Sequence, residues 1–324
     1  MLERLYAPLR PALADVEHYI ELLTQSDFPL LKQVGKHLFN RKGKQLRPLL
    51  LLYTHRLFQP GAAISDEALR CAALIEILHT SSLVHDDVVD EADRRRGQAS
   101  VRALLGNRTA VLSGDYLISN AFLRAFHDNS ASPLILSMLG IIRTMCEGEL
   151  LQLQYTANPD MDENVYERII AGKTAALFGQ CSYCGALTAG ATPEQAQSAR
   201  QIGEAAGMAF QIKDDLLDLH AETEAQEGKT AGNDLKEGKI TLPTLVYLRT
   251  LDEAGRRAFF DWLQRPAQWR SGELAARLDQ IRQSGAETYC RQRMADYAQK
   301  AQDTFARLGI DRPLFKDLLN IICL

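Results

Sequence analysis

Apolar residues along this chain recur at spacings of three and four, the period that keeps them on one face of a helix. Between Leu69 and Val89 the series Ala72, Ala73, Ile75, Ile77, Leu78, Leu83 and Val84 runs without an internal Gly or Pro, which predicts one long helix. The same spacing predicts helices near Leu46–Phe58, Asn107–Phe126, Pro133–Tyr155, Val165–Ala189, Pro193–Leu219 and Leu242–Thr250. Turn signals at Gln59-Pro60-Gly61, Asp128-Asn129-Ser130, Asn158-Pro159-Asp160 and Gly190-Ala191-Thr192-Pro193 separate several of them. No strand-like alternation competes convincingly. From His220 to Lys239 the chain is polar and carries three glycines, so it reads as a long loop, and long loops inside compact domains are often functional. With no dividing linker and no repeat of solenoid length, the expectation is one all-α domain spanning residues 1–324, a single large helical bundle.

Composition narrows the partners more than the fold. A 324-residue chain with 46% hydrophobic and 24% charged residues is expected to fold, with neither disorder nor a fibrous repeat. Its net charge of −4 offers no broad basic surface for nucleic acid, so any anion site must be local. Met1 to Ile20 lacks the apolar core of a signal peptide. The longest uncharged stretch begins at Thr174 and is broken by Glu194; Gln180, Ser182, Thr188 and several glycines dilute it, so a packed core helix is expected rather than a transmembrane segment. These features predict a cytoplasmic protein. Among six scattered cysteines only Cys181 and Cys184 form a C-x-x-C pair, and without a second pair, a histidine cluster or a preceding strand they read as small core residues.

Two acidic clusters stand out: Asp86-Asp87-Val88-Val89-Asp90 and Asp214-Asp215-Leu216-Leu217-Asp218. In a helix, positions i and i+4 share a face, so Asp86 and Asp90 project together, as do Asp214 and Asp218. Crowded carboxylates repel one another until solvent or cations intervene, and hard oxygen ligands of this kind suit Mg²⁺. One such cluster is usually a solvated helix end. Two copies with the same spacing and the same apolar approach suggest a central hydrophobic cavity with an acidic rim. Basic residues accompany them: Lys44 and Arg47 in Gly43-Lys44-Gln45-Leu46-Arg47-Pro48, then Arg94-Arg95-Arg96-Gly97, Lys173-Thr174, Lys229 and Lys239. Arg offers forked donors to phosphate oxygens and Lys a mobile point charge. Two Gly-Lys-Thr triplets do not make a phosphate-binding P-loop, because Glu167 and Thr223 stand where its first glycine is needed and no strand precedes either.

In order along the chain, these motifs resemble the trans-type isoprenyl diphosphate synthases. The matching segments run from Gly43 to Pro243 and include Gly114-Asp115, Glu147-Gly148-Glu149, Phe210 through Asp218, and Gly228 through Lys239. The resemblance implies an isoprenoid-synthase-type bundle that joins an allylic diphosphate to isopentenyl diphosphate. It also implies two or three Mg²⁺ ions, a homodimer, and a product that serves as a membrane lipid precursor. Position by position, Lys44, Arg47, His79 and Arg96 correspond to the metal-free isopentenyl diphosphate site. Asp86, Asp87, Asp90, Asp214, Asp215 and Asp218 correspond to the Mg²⁺ ligands, and Arg95, Lys173, Thr174, Gln211, Lys229 and Lys239 to direct partners of the allylic diphosphate. Lys213 departs from the pattern, since relatives usually carry an apolar residue there; it could pair with an acid or weaken metal binding.

Product length can be argued from helix geometry. One turn rises about 5.4 Å, close to one extended isoprene unit, so each turn below Asp86 measures roughly one addition. Ser81 and Ser82 occupy the first turn and are too small to plug it, and Leu78 and Ile75 follow as lining. This predicts a long product near octaprenyl, with a floor that another helix, such as Pro133–Cys146, could set. The competing expectations are a medium-chain synthase making farnesyl or geranylgeranyl diphosphate, a terpene cyclase or head-to-head condensing enzyme, and a non-catalytic regulatory subunit. Lys44, Arg47 and His79 argue against cyclisation, which needs no second diphosphate site, and the two intact acidic clusters argue against a silent subunit.

Overall fold

The computed structural model describes residues 2–40, 43–95, 97–127, 133–220, 231–310 and 312–324. Helices α1 (Leu2–Tyr6), α2 (Arg10–Thr24), α3 (Pro29–Phe39) and α4 (Leu46–Phe58) lead to α5 (Asp66–Val89), which ends at the first acidic cluster. A hairpin of β1 (Arg94–Arg95) and β2 (Gln98–Ala99) follows, with Arg94 opposite Ala99 and Arg95 opposite Gln98. Next come α6 (Val101–Leu105), α7 (Asn107–His127), α8 (Pro133–Gln154), α9 (Glu163–Ile170), a π-helical turn over Ala171–Ala175, and α10 (Ala176–Thr188). The second cluster lies on α11 (Pro193–His220). After the single turn α12 (Asn233–Lys236) follow α13 (Leu242–Arg249), α14 (Glu253–Leu263), α15 (Glu273–Gln283), α16 (Ala286–Arg307) and α17 (Pro313–Cys323).

The architecture is all-α, as the periodicity implies, and the differences are local. α5 begins at Asp66 because the Ser65 hydroxyl caps it, accepting the Ala68 N–H at 3.3 Å. The segment expected as one helix from Val165 to Ala189 starts earlier, where Asp162 accepts the Val165 N–H at 2.8 Å, and is interrupted by the π-helical turn. Two-residue strands are too short for alternation to be visible, which is why the hairpin at Arg94–Ala99 escapes a sequence reading. The expected loop from His220 to Lys239 holds α12 in its described part; residues 221–230 lie outside the described residues.

Two apolar clusters share α11. Ile202, Ala205, Ala206 and Ala209 pack on one side with α2, α4, α5, α7, α8 and α10, whereas Met208, Ile212, Leu216 and Leu219 pack with α9 and α13–α16. Sharing one helix fixes the second acidic cluster at the seam of the two packings. α10 is buried on nearly every face between α4 and α11. Glycines permit that closeness: a Cβ on Gly185 would lie 2.3 Å from the Leu51 carbonyl oxygen, and one on Gly203 would lie 2.4 Å from that of Phe178. Not every apolar side chain is covered. Leu112 and Leu123 on α7 and Leu136, Leu139, Leu150 and Leu153 on α8 are exposed. No helix among the described residues is long and apolar enough to cross a membrane.

Candidate active site

Asp86 and Asp87 occupy the last turn of α5, and Asp90 caps it, its N–H donating to the Asp86 carbonyl at 2.8 Å. Glu91, immediately after, adopts φ +50°, a left-handed conformation that non-glycine residues rarely take. Arg102 ties this bend down through the Glu91 carbonyl at 2.9 Å and the Asp93 carboxylate at 2.7 Å. The turn throws the hairpin back over the acids. Arg95 Nε and Nη2 then reach Asp87 Oδ1 at 2.8 and 2.7 Å, and this pair is almost fully buried on the Asp87 side. Burial pushes the Asp86 carboxyl up to about 6; Glu149 and Asp90 push the same way, while Lys173 and Arg95 oppose them.

The second cluster is held differently. Asp215 is buried and accepts the Tyr166 hydroxyl at 2.6 Å on Oδ2 and the Gln211 amide at 2.8 Å on Oδ1. Burial raises its carboxyl to about 7 despite those donors, and Asp214 and Asp218 add repulsion. Asp218 turns its carboxylate to the backbone, accepting the N–H groups of Asn233 at 3.1 Å and Asp234 at 3.2 Å. It thereby caps α12, and its own carbonyl accepts the Gly232 N–H at 2.9 Å. Asp214 stays half-buried beside them.

Two sets of contacts link the segments that carry the clusters. Lys239 donates to Asp90 at 2.9 Å and to Glu237 at 2.6 Å. Burial alone would lower that ammonium's pKa, but Glu237 and Asp90 hold it above its ordinary value. The second set runs through Lys173 and Thr174. Lys173 pairs with Glu149 at 2.5 Å and acts on Asp86, while the Thr174 hydroxyl donates 2.7 Å to Gln211, which in turn holds Asp215. The π-helical turn contains both residues, and such insertions are frequent at functional sites. Glycines seat it against α8: a Cβ on Gly148 would lie 2.7 Å from the Lys173 nitrogen, and one on Gly172 would lie 3.1 Å from the Gly148 Cα.

The basic residues are spread over the start of α4 and the middle of α5. Lys44 is exposed just before α4, and the Tyr6 hydroxyl donates to its carbonyl. Gln45 adopts φ +44° between Lys44 and the helix start. The Arg47 guanidinium lies 4.9 Å from the centre of the Phe178 ring, and Phe178 meets Phe210 at 5.1 Å, one residue before Gln211. His79 is half-buried on α5, its carbonyl accepting the Ser82 hydroxyl at 2.9 Å. Ser81, Leu78 and Ile75 are buried deeper on that helix, and Ser82 is half-buried. Arg96 and Lys229 lie outside the described residues. Among the described residues no acid forms an ion pair with Lys213, which donates instead to the Ile321 carbonyl of α17 at 3.2 Å. The motif Gly114-Asp115 also acquires a reason: a Cβ on Gly114 would fall 2.3 Å from His85 Nε2, which contacts Asp115 at 3.4 Å beside Asp86.

Four contributors escape the sequence reading. Tyr166 carries no motif signal of its own, and Glu149, Asp234 and Glu237 stand in matched segments without an assigned role. Asp234 has its carboxyl raised well above the ordinary range, by burial first and then by Asp218 and Asp215. Among the described residues no three or more His, Cys, Asp or Glu side chains are gathered closely enough to hold a metal ion by themselves. The donors are nonetheless all oxygen, and Asp86 and Asp215 are held short of full ionisation by burial and by neighbouring acids. A hard divalent cation whose remaining ligands come from water and a phosphate fits that open arrangement.

Comparison with known proteins adds independent findings. The sequence profile described as polyprenyl synthetase matches residues 28–276. An octaprenyl diphosphate synthase of Escherichia coli (strain K12) is 41% identical over 222 residues, 68% of this chain and 67% of that one. An all-trans-nonaprenyl-diphosphate synthase (geranyl-diphosphate specific) of Rhodobacter capsulatus is 36% identical over 297 residues, 91% of this chain and 88% of its own. The fold is similar to the crystal structure of a polyprenyl synthase from Caulobacter crescentus complexed with calcium and isoprenyl diphosphate. That likeness has a TM-score of 0.91 at 31% identity and covers 100% of this chain and 96% of the other.

Proposed function

Because this chain belongs to the polyprenyl synthetase family, we propose that it is a long-chain trans-polyprenyl diphosphate synthase, with isopentenyl diphosphate and an allylic diphosphate as substrates. The observation that supports the reading is the set of contacts around the two acidic clusters, with Lys239 on Asp90 and Thr174–Gln211 on Asp215. Similarity to octaprenyl and nonaprenyl synthases supports a product near octaprenyl. The chain acts as one catalytic domain.

Asp86, Asp87, Asp90, Asp214, Asp215 and Asp218 would hold Mg²⁺, in two or three ions. Bound there, the metal neutralises charge on the leaving diphosphate. Arg95, Lys173 and Lys239 now rest on Asp87, Glu149 and Asp90, and each can exchange that carboxylate for a diphosphate oxygen. They stabilise the leaving group most as its C–O bond breaks and the electron pair passes to oxygen. The π electrons of isopentenyl diphosphate, oriented by Lys44, Arg47 and His79, form the new C–C bond to the allylic cation. The resulting tertiary cation loses a proton to a diphosphate oxygen, leaving a lengthened allylic diphosphate ready for another round.

The exposed leucines of α7 and α8 support a homodimer built on those helices, which light scattering at a single doubled mass would test. Six free cysteines suit a reducing compartment, which supports a cytoplasmic location. The deciding experiment incubates the protein with isopentenyl diphosphate, Mg²⁺ and farnesyl diphosphate and sizes the products by chromatography. Prenyl diphosphates near eight isoprene units are expected, and absence of any elongation refutes the assignment. Ser82→Phe, one turn below the acids, should shorten the product; an unchanged length would remove α5 as the pocket wall.

A further inference from the structure

α9 is gripped on two flanks. On one, the buried Tyr166 sends its hydroxyl to Asp215 at 2.6 Å. On the other, Glu163 and Glu167, one turn apart, meet side chains of α13 and α16. The Tyr289 hydroxyl donates to both Glu163 carboxylate oxygens at 2.9 Å, and Arg249 of α13 pairs with the same group. Arg293 of α16 pairs with Glu167 and lies 3.4 Å from Glu163 and 3.7 Å from Asp296. The Tyr297 hydroxyl donates to Glu167 at 3.0 Å, and the Arg293 guanidinium lies 5.3 Å from the centre of the Tyr297 ring. α16 is a firm reference for this grip. Its Cys290 and Met294 are buried in the same apolar cluster as Ile212 and Leu216, which bracket Asp214 and Asp215 on α11.

Partly exposed ion pairs contribute little to stability, and α9 already buries Val165, Ile169 and Ile170. What apolar packing leaves loose is rotation about the helix axis, because such contacts are non-directional. At a radius of about 5 Å, side chains included, a rotation of about 20° moves a side-chain tip by about 2 Å. That is enough to part Tyr166 from Asp215. We propose that Glu167 and Arg293 are positioning residues: by fixing the rotation of α9 they hold the Tyr166 hydroxyl on Asp215, and so set the metal affinity of the second acidic cluster. Neither touches substrate or metal. The inference rests on the prenyltransferase reading, in which Asp215 is a metal ligand, and adds to it two residues outside the motifs that carry the family resemblance.

Glu167→Ala removes the carboxylate, whereas Glu167→Gln keeps an oxygen for Arg293 and Tyr297. Mn²⁺ stands in for Mg²⁺: its binding to protein saturated with inorganic diphosphate is followed by electron paramagnetic resonance, without turnover, against Mn²⁺ and diphosphate alone. Glu167→Ala is expected to weaken Mn²⁺ binding about fivefold, and Glu167→Gln to restore it to within about twofold. The melting temperature should barely move. Placed in Tyr166→Phe, which already lacks the hydroxyl, Glu167→Ala should cost less than about twofold more, because changes acting through one contact do not add. A full fivefold further loss in that background, at about the size seen in the unaltered one, overturns the proposal. So does an unchanged Mn²⁺ affinity in Glu167→Ala, or a loss that Glu167→Gln leaves in place. Arg293→Met repeats the cycle from the other partner should Glu167→Ala fail to fold. Incubation with isopentenyl diphosphate and farnesyl diphosphate tests the underlying reading separately. Unaltered protein that binds Mn²⁺ but makes no prenyl product refutes the reaction, while the binding cycle still decides the role of Glu167; unaltered protein that binds no Mn²⁺ overturns both.

Discussion

The two Asp-Asp-x-x-Asp clusters share a spacing and a position at the end of a long helix, yet their surroundings are opposite in kind. Around the first, the partners are charged and long: Arg95 on Asp87, Lys239 on Asp90, and Lys173 acting on Asp86 from Glu149. Around the second, the described hydrogen-bond donors to Asp215 and Asp218 are neutral: the Tyr166 hydroxyl, the Gln211 amide and two backbone N–H groups at the start of α12. Long cations on flexible stems can change partners, whereas backbone donors cannot. The first cluster is therefore arranged to trade its protein cations for metal and diphosphate, and the second to present a preset shape.

Removing charge from the first cluster should have the largest effect. Asp86→Asn is expected to lower kcat about a thousandfold, near 4 kcal/mol of lost charge stabilisation, while its melting temperature holds or rises because a buried acid is gone. Near-normal turnover would erase the distinction drawn above. Tyr166→Phe probes the other side: it strips one donor from buried Asp215, which costs about 1–3 kcal/mol of stability and about tenfold in Mg²⁺ affinity. Thermal melts and Mg²⁺ titrations of activity would register both, and a variant unchanged in each would show that the second cluster needs no preset shape.

The smallest effect is with pH. Asp86 has a folded-state pKa of about 6 against an ordinary 3.8, so its contribution to stability is fully present below 3.8 and is lost as pH rises through about 6. Ligand-free protein should accordingly melt higher at pH 5 than at pH 7.5. Activity at limiting Mg²⁺ should run the other way, falling below pH 6 as the carboxylate protonates. A flat melting profile together with undiminished activity at pH 5 would contradict that assignment.

The acidic clusters and the helices that carry them were legible because each is written within a few consecutive residues. Apolar spacing marks α5 and α11, and the i, i+4 acids mark their ends. Tyr166 was not legible, since a tyrosine on an apolar helix face gives the same pattern whether its hydroxyl meets water or Asp215. Asp234 and Glu237 fall in a segment that matches the family but reads locally as polar loop, which assigns neither of them a role. Lys213 stands out in the sequence as a departure, but its direction depends on α17, whose last turn lies far along the chain from α11. The π-helical turn at Ala171–Ala175 left no mark either, because one extra residue in an apolar run only blurs the periodicity.

That extra residue acts as a phase shift. A deletion of one position within Ala171–Ala175 would rotate everything beyond it by about 100° relative to α9. Gln180 would then leave Ser137, and Gly185 and Phe178 would lose their seats against α4 and α11. Substitutions can be absorbed at many places in such a bundle; at this turn the count of residues is itself the conserved quantity to look for, and chains that differ by one there should differ in both packing and chemistry.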